Sequence, residues 1–242
     1  MEQKKLKKIL EDHKLWLDSN GAKGTCAQLG GADLEGIDLE GTNLTNANLK
    51  GANLKCAGLT GANLKGVNFE CAFLPYVNLK KANLEGANFI NADLEGATFQ
   101  EAEVQDANFQ FANLKYAYLK YANLTRASFT RANLECADLQ FAFLERACFS
   151  DADLTKANLK RAYLTDASLS GANLTRADLR GANLINANLR GANLINANLS
   201  GANLEGADFQ SAYLTKASLE GANLFKTDLE VAKIYFFQPH QM

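Results

Sequence analysis

Few residues in this sequence combine a reactive side chain with a spacing that chemistry requires. The cysteines are Cys26, Cys56, Cys71, Cys136 and Cys148. They are odd in number and none stands in a CxxC pair, so neither a disulfide framework nor a metal site is expected. Two histidines in 242 residues leave little for acid–base catalysis. Carboxylates such as Asp151 and Asp153 have no nucleophile, histidine or glycine-rich loop beside them, which indicates solvated surface. The residue types predict no enzyme, no metal site and no cofactor.

Charge and composition exclude further classes. Lysine plus arginine total 25 and aspartate plus glutamate total 27, a net charge of −2. A nucleic-acid binder normally carries a basic excess, so no direct nucleic-acid contact is expected. The chain is 47% apolar, which argues against disorder. The first ten residues lack the apolar core of a signal peptide, and no apolar run reaches about 18 residues. These features, with the odd number of cysteines, predict a cytoplasmic protein without a membrane segment.

A pentapeptide period runs through most of the chain. From Leu29 to Ile234 a large apolar residue, here called a centre, occupies every fifth position without a break. Of these 42 centres, 33 are leucine and seven are phenylalanine. Alanine stands two residues before each centre with five exceptions, and Asn or Asp stands directly before 28 of them. The exceptions to alanine are Ile37, Thr42, Val67, Val77 and Thr227.

This period is incompatible with an α-helix, in which successive centres would step about 140° around the axis and form no apolar face. A spacing of two between the alanine and the centre favours a short extended segment, whose alternate residues share a face. Fourteen of the 18 glycines lie two residues after a centre, where a corner with unusual φ is expected. Asn and Asp between the inward pair can bond their own backbone in a turn. Short sides joined by corners describe a coil.

The phenylalanine centres set the number of sides. Six of the seven are Phe69, Phe89, Phe109, Phe129, Phe149 and Phe209, which differ by multiples of 20; Phe99 is the exception. A stacked aromatic column therefore predicts four pentapeptides per coil. The 42 sides correspond to about ten and a half coils and about 50 Å of rod.

Tandem Ala-(Asn/Asp)-Leu-X-X, as in Ala52-Asn53-Leu54, resembles the pentapeptide-repeat proteins. The resemblance covers about 210 of the 242 residues. It implies an all-β solenoid, a right-handed quadrilateral β-helix. We therefore expect an N-terminal helical cap at 1–25, the β-helix at 26–234 and a C-terminal cap or tail at 235–242.

Both ends of such a rod require covering. Residues 3–20 have helical apolar spacing, with Asn20-Gly21 as a stop, and predict an amphipathic helix across the first coil. His13 lies on the apolar stripe and is interpreted as a packing residue. At the other end are Tyr235, Phe236 and Phe237. They either cap the last coil or join two chains in a homodimer, as the C-terminal ends of some family members do.

Outward positions are the only ones free to carry function. Fourteen successive corners from Glu101 to Asp166 contain no glycine. The period of 20 stacks Tyr121 on Phe141 and Phe143 on Tyr163, with Arg161 continuing the first column. These residues predict an outward aromatic patch with a basic edge, a composition typical of interface anchors. Stabilisation of the β-helix surface by aromatic columns is the alternative interpretation.

Two functions follow as hypotheses. The first is a non-catalytic scaffold that presents a patterned surface to an unidentified protein partner. The second, implied by similar quinolone-resistance proteins, is inhibition or protection of DNA gyrase by mimicry of duplex DNA, which requires a strongly acidic face. Residues 81–110 are acidic, but residues 111–180 carry ten basic and seven acidic side chains, which interrupts such a face.

Overall fold

A computed structural model describes residues 1–230 and residue 232. One helix, α1 (Gln3–Asp18), precedes a four-sided β-helix. Within the described residues the β-helix contains no continuous strand; each side contributes a single bridge residue. Every bridge is parallel and joins residues 20 apart, from Gln28↔Asn48 to Asp208↔Asp228. The predicted four pentapeptides per coil are confirmed. The count of about ten and a half coils includes Ile234, which lies outside the described residues, and stays a prediction.

Three of the five backbone donors of a pentapeptide bond to the adjoining coils, as residues 121–125 illustrate. Two N–H groups bond to the following coil, one to the preceding coil and one within the turn. These bonds are Tyr121 to Gln140 (3.1 Å), Leu124 to Phe143 (2.7 Å), Asn123 to Ala102 (2.9 Å) and Ala122 to Leu119 (3.1 Å). The fifth N–H, of Thr125, donates to Oδ1 of Asn123 at 3.3 Å. Satisfying these donors is what holds the coil closed, because unpaired buried N–H groups are costly.

The frequent Asn and Asp before each centre are explained by that fifth bond. At all 28 such positions, Oδ1 accepts the backbone N–H two residues further along the chain. The predicted self-bonding turn is confirmed. The side chain therefore supplies the acceptor that neither the neighbouring coils nor the backbone of the turn provides.

The corners are left-handed. All 40 positions that lie two residues after a centre between Gly31 and Lys226 have φ between 54° and 68°. Fourteen of them are glycine, which confirms the expected use of glycine at corners, and 26 carry a side chain. An L-residue pays roughly 1–2 kcal/mol for this conformation, so glycine is the least strained choice.

The interior is a stack of alanine, leucine and phenylalanine columns. Four consecutive Phe pairs from Phe69 to Phe149 stack with ring centroids 4.7–4.9 Å apart, which equals the rise of one coil. Phe99, the exception to the column, lies edge-on against Phe89 and Phe109 at 6.0 and 5.8 Å. Its ring therefore reaches the column from a different side of the same core.

α1 covers the N-terminal end, and its residues have the predicted spacing. Leu6 and His13 are buried, and Ile9 and Leu10 pack partly buried against the core. The helix ends at Asp18, two residues before the predicted bound, because Ser19 already leaves helical geometry with φ −102° and ψ 7°.

His13 does more than pack. Its Nδ1 accepts the N–H of Ala27 at 3.1 Å, at the start of the first coil. In the next pentapeptide the corresponding N–H, of Ala32, donates to the carbonyl of the preceding centre, Leu29, at 3.0 Å, and no centre precedes Ala27 in this way. Its ring stacks on Trp16 at 5.6 Å, and Nε2 is buried without a hydrogen-bond partner among the described residues. Burial lowers the pKa of His13 below its usual value of 6.5, which keeps the ring neutral and Nδ1 an acceptor.

The C-terminal end is less covered within the described residues. Leu219 and Leu229 are only partly buried, and Leu224 is 38% exposed, whereas the centres from Leu44 to Phe209 are fully buried. Tyr235, Phe236 and Phe237, the predicted cap or dimer contact, lie outside the described residues.

Gly191 offers a test of corner strain alone, because a Cβ at this position would meet nothing within 4 Å while φ is +66°. We expect Gly191→Ala to lower the free energy of unfolding by roughly 1 kcal/mol. Gly30→Ala is the matched control, since Gly30 lacks a positive φ and a Cβ there makes only ordinary contacts. Thermal unfolding followed by circular dichroism measures both. Equal midpoints for the two variants would contradict the strain.

The His13–Ala27 bond predicts a pH-dependent stability. The folded pKa is lowered, so the unfolded chain binds the proton more readily; stability is complete above about pH 6.5 and declines as pH falls towards the folded pKa. We expect the thermal midpoint to drop between about pH 7.5 and about pH 5.5. His13→Asn, whose Oδ1 can accept the same N–H but cannot titrate, is the control and should show a flatter profile. Parallel profiles for the two proteins would rule the mechanism out.

Candidate functional site

The candidate site lies where two sides of the β-helix meet at a corner. One side carries the bridge residues Asn123, Phe143 and Tyr163, and the other carries Tyr118, Asp138, Asn158 and Asp178. The corner between them is formed by Tyr121, Phe141 and Arg161 on successive coils. Each corner N–H donates to the carbonyl 19 residues further along, at Gln140, Lys160 and Arg180 respectively. The coil register alone thus brings these side chains together.

The four predicted aromatic residues form two stacked pairs at this corner, here called the aromatic patch (Tyr121, Phe141, Phe143 and Tyr163). Tyr121 and Phe141 have centroids 5.1 Å apart and planes 17° apart. Phe143 and Tyr163 are 5.2 Å and 8° apart. The predicted stacking is confirmed. Tyr121, Phe143 and Tyr163 remain 44%, 42% and 41% exposed, and Phe141 is partly exposed.

Cations lie over the same rings. The Arg161 guanidinium carbon is 5.8 Å from the Phe141 centroid, which places Arg161 at the predicted basic edge. Lys120 Nζ is 5.2 Å from the Tyr121 centroid and 5.8 Å from that of Phe141. Such cation–π contacts contribute about 0.5–1 kcal/mol at exposed sites. The patch therefore combines apolar ring edges with fixed positive charge, a surface suited to binding and not to reaction.

The exposed aromatic surface extends further than the sequence analysis proposed. Tyr118 lies on the adjoining side and Tyr116 at its other corner, and Tyr118 is 56% exposed, more than any patch member. The sequence-based prediction omits Tyr118 because it relies on aromatic residues 20 apart, whereas the column neighbours of Tyr118 are Thr98 and Asp138. Its place on the side next to Tyr121 was the signal that could have found it.

A group of cations beside the patch was also missed. Lys156 and Lys160 lie on one coil, and Arg176 and Arg180 lie on the next coil of the same side. Together with Arg161 they are called the basic cluster. The signal for the basic cluster is the spacing of 20 residues between Lys156 and Arg176 and between Lys160 and Arg180.

Reactive groups elsewhere do not assemble into a centre. All five cysteines are free thiols. Partial burial raises the pKa of Cys148, but hydrogen bonds with Ser150 and Thr130 outweigh it and the net pKa lies below the usual value. Among the described residues, no group of three or more His, Cys, Asp or Glu side chains could hold a metal ion. In the same part of the chain, no helix has the length and apolar character needed to cross a membrane.

Solved structures similar to this chain are repeat proteins of the same kind. HetL, a pentapeptide repeat protein involved in heterocyst differentiation regulation from the cyanobacterium Nostoc sp. strain PCC 7120, is 34% identical. The match covers 82% of this chain and 90% of HetL, with a TM-score of 0.44. A trypsin-treated form of QnrB1, a plasmid-mediated fluoroquinolone resistance protein, is 20% identical over 74% of this chain and 91% of that chain, with a TM-score of 0.41. Among the curated proteins compared, none matches the chain.

The family comparison agrees with the geometry of the coils. The family model described as pentapeptide repeats matches most of the β-helix. The matched ranges are 32–70, 76–110, 112–151, 152–191, 172–210 and 192–230. The unbroken period, the four bridge columns and this match lead to one conclusion: the chain belongs to the pentapeptide-repeat family, whose fold is a right-handed β-helix.

Proposed function

We propose that this protein is a non-catalytic scaffold that binds a protein partner through the aromatic patch and Arg161. The observation that carries the proposal is the continued exposure of three of the four rings after stacking. Contiguous exposed apolar surface of this kind marks interaction sites, and aromatic residues beside arginine dominate binding energy at interfaces. We propose that the protein acts in the cytoplasm, because its five cysteines are free thiols and the cytoplasm is a reducing compartment.

The contrast with the flanks supports the same region. Residues 181–189 and 191–199 are identical, and their corners are glycine or asparagine. Corners from Glu101 to Asp166 all carry larger side chains in the strained left-handed conformation. Strain of this kind is retained where surrounding structure or function requires the side chain. The flanks extend the rod, and the middle presents its surface.

Mimicry of duplex DNA is less well supported by the charges. Three of the six acidic residues of the 81–110 stretch pair with cations one coil away. Lys65 contacts Glu85 at 2.8 Å, Lys81 contacts Glu101 at 3.6 Å, and Arg126 contacts Asp106 at 2.6 Å. A face that imitates a phosphate backbone needs carboxylates that are not neutralised by neighbouring cations. We therefore do not extend the gyrase activity of quinolone-resistance proteins to this chain.

The tail-to-tail homodimer through Tyr235, Phe236 and Phe237 remains a proposal. The exposure of Leu224 supports it, since an uncovered end of a solenoid invites apolar contact. Light scattering of the full chain distinguishes the dimer from a tail that covers its own last coil.

Replacement of Tyr121, Phe141, Phe143 and Tyr163 by alanine tests the scaffold function. We expect this variant to lose partners that the wild-type chain retains in affinity capture from native lysate, because hot-spot rings each cost about 2 kcal/mol or more of binding energy. The matched control is the alanine variant of four exposed aromatics elsewhere, Phe73, Tyr76, Phe111 and Tyr213.

The same two variants separate binding from stability. If the aromatic columns serve only the β-helix surface, the patch variant keeps its partners and loses thermal stability instead. That result would refute the assignment of the patch as a binding surface.

A further inference from the structure

Cations on this β-helix are generally neutralised by a carboxylate one coil away. Residues 20 apart lie in one column at a separation of about 4.8 Å, within reach of a salt bridge. The shortest such pairs are Lys50–Glu70 (3.0 Å), Lys65–Glu85 (2.8 Å), Lys115–Glu135 (2.7 Å) and Arg126–Asp106 (2.6 Å). Eight salt bridges among the described residues balance charge between successive coils in this way.

The basic cluster breaks this balance. Lys156, Arg161 and Arg176 make no ion pair with any residue that the structure describes, and all three are exposed. Asp178 is the single acidic residue among residues 156–161 and 176–181. On this one side of two adjacent coils, five cations therefore share one carboxylate.

Asp178 is already fully used. Its carboxylate accepts from Arg180 Nε and Nη2 at 2.9 and 2.7 Å and lies 3.3 Å from Lys160 Nζ. Partial burial raises the pKa of Asp178, but the hydrogen bonds from Arg180 and Lys160 outweigh it, and the net pKa lies below the usual value. The carboxylate is ionised at neutral pH and cannot also neutralise the three cations at the corners.

A shallow cavity joins the basic cluster to the aromatic patch. Its volume is about 330 Å³, and it is lined by Gln140, Phe141, Lys160, Arg161 and Arg180. Three cations and an amide surround it, and one wall is the ring of Phe141. The same cavity therefore offers cations that can contact an anion and an aromatic ring that can contact an apolar group.

We propose that the basic cluster binds an acidic segment of a protein partner, with carboxylates on Lys156, Arg161 and Arg176 and an apolar residue against Phe141. This inference rests on the proposed scaffold function and adds the chemistry of its partner. Charge complementarity carries it: the cluster is an uncompensated positive surface on a chain of net charge −2.

Nucleic acid fits this surface less well. The cluster spans two coils, about 10 Å with its side chains, whereas specific duplex binding typically uses six to ten phosphate contacts. Single strands bind by stacking bases on aromatic faces, but the rings of the patch have a face covered by each other. A short acidic segment needs neither a long track nor a free ring face.

The test uses a fluorescein-labelled peptide of about eight residues, Glu and Asp around one Phe, titrated with the full chain in fluorescence anisotropy at about 50 mM and about 200 mM salt. We expect measurable binding that weakens with salt. The charge-reversed variant Lys156→Glu, Arg161→Glu and Arg176→Glu should lose at least about tenfold in affinity. These changes break no ion pair with the residues that the structure describes, and Glu101 shows that glutamate occupies a left-handed corner of this chain.

The matched control is Lys4→Glu, Lys5→Glu and Lys8→Glu on α1, which changes the net charge equally at exposed positions outside the cluster. We expect its affinity to stay within about twofold of the wild type. Equal loss in both variants would reduce the effect to overall charge and overturn the proposal.

Two other occupants are tested in parallel. A single-stranded oligonucleotide of the same charge that binds more tightly than the peptide, and is lost in the charge-reversed variant, would overturn the proposal in favour of nucleic acid. A low-salt dimer in light scattering that disappears in that variant would overturn it in favour of a second copy of the chain. If the peptide fails to bind while the alanine variant of the aromatic patch still loses its captured partners, the scaffold function stands and this inference falls.

Discussion

A left-handed corner at every fifth residue is the constraint on which the rest of this structure depends. Each corner turns the chain onto the next side, and from Gly31 to Gly206 the corner N–H donates to a carbonyl 19 residues ahead. The left-handed φ repeats at every such position from Gly31 to Lys226. The inward alanine and centre, the outward Asn or Asp and the ladder of bridges are all arranged around it. Most corner side chains face solvent. The backbone conformation at a corner is therefore restricted to a left-handed φ, whereas the identity of the side chain can vary.

This separation explains how one backbone can be both uniform and specific. The interior columns repeat because each coil packs only on its two neighbouring coils. An interior side chain of a different size would disturb its packing against both of them. Outward-facing side chains are not restricted by packing between coils. In the stretch from Glu101 to Asp166, side chains have replaced glycine at the corners despite the strain. Tyr121, Phe141 and Arg161 occupy three such positions, so part of the candidate site is built on left-handed corners.

Much of the fold could be predicted because its information is local and repeated. The spacing of Phe69, Phe89 and Phe109 by 20 residues determines the four sides. The bond from His13 to Ala27 could not be predicted, because no repeat relates α1 to the first coil. The same limit applies to the site. Stacking of Tyr121 on Phe141 follows from counting residues. That Arg161 forms no ion pair with any described residue depends instead on which side chains reach one another.

The fixed rise and the four corners also give the rod a phase. Insertion or loss of 20 residues adds or removes a whole coil and leaves every face aligned, whereas five residues rotate all that follows by a quarter turn. The identical stretches at 181–189 and 191–199 are ten residues apart, so the two copies face opposite directions. The alignment between Tyr121 and Arg180 is therefore preserved only by changes of whole coils between them. Insertions or deletions of pentapeptides in this fold therefore rotate one surface feature relative to another. They can bring two features onto the same face or separate them without changing any side chain.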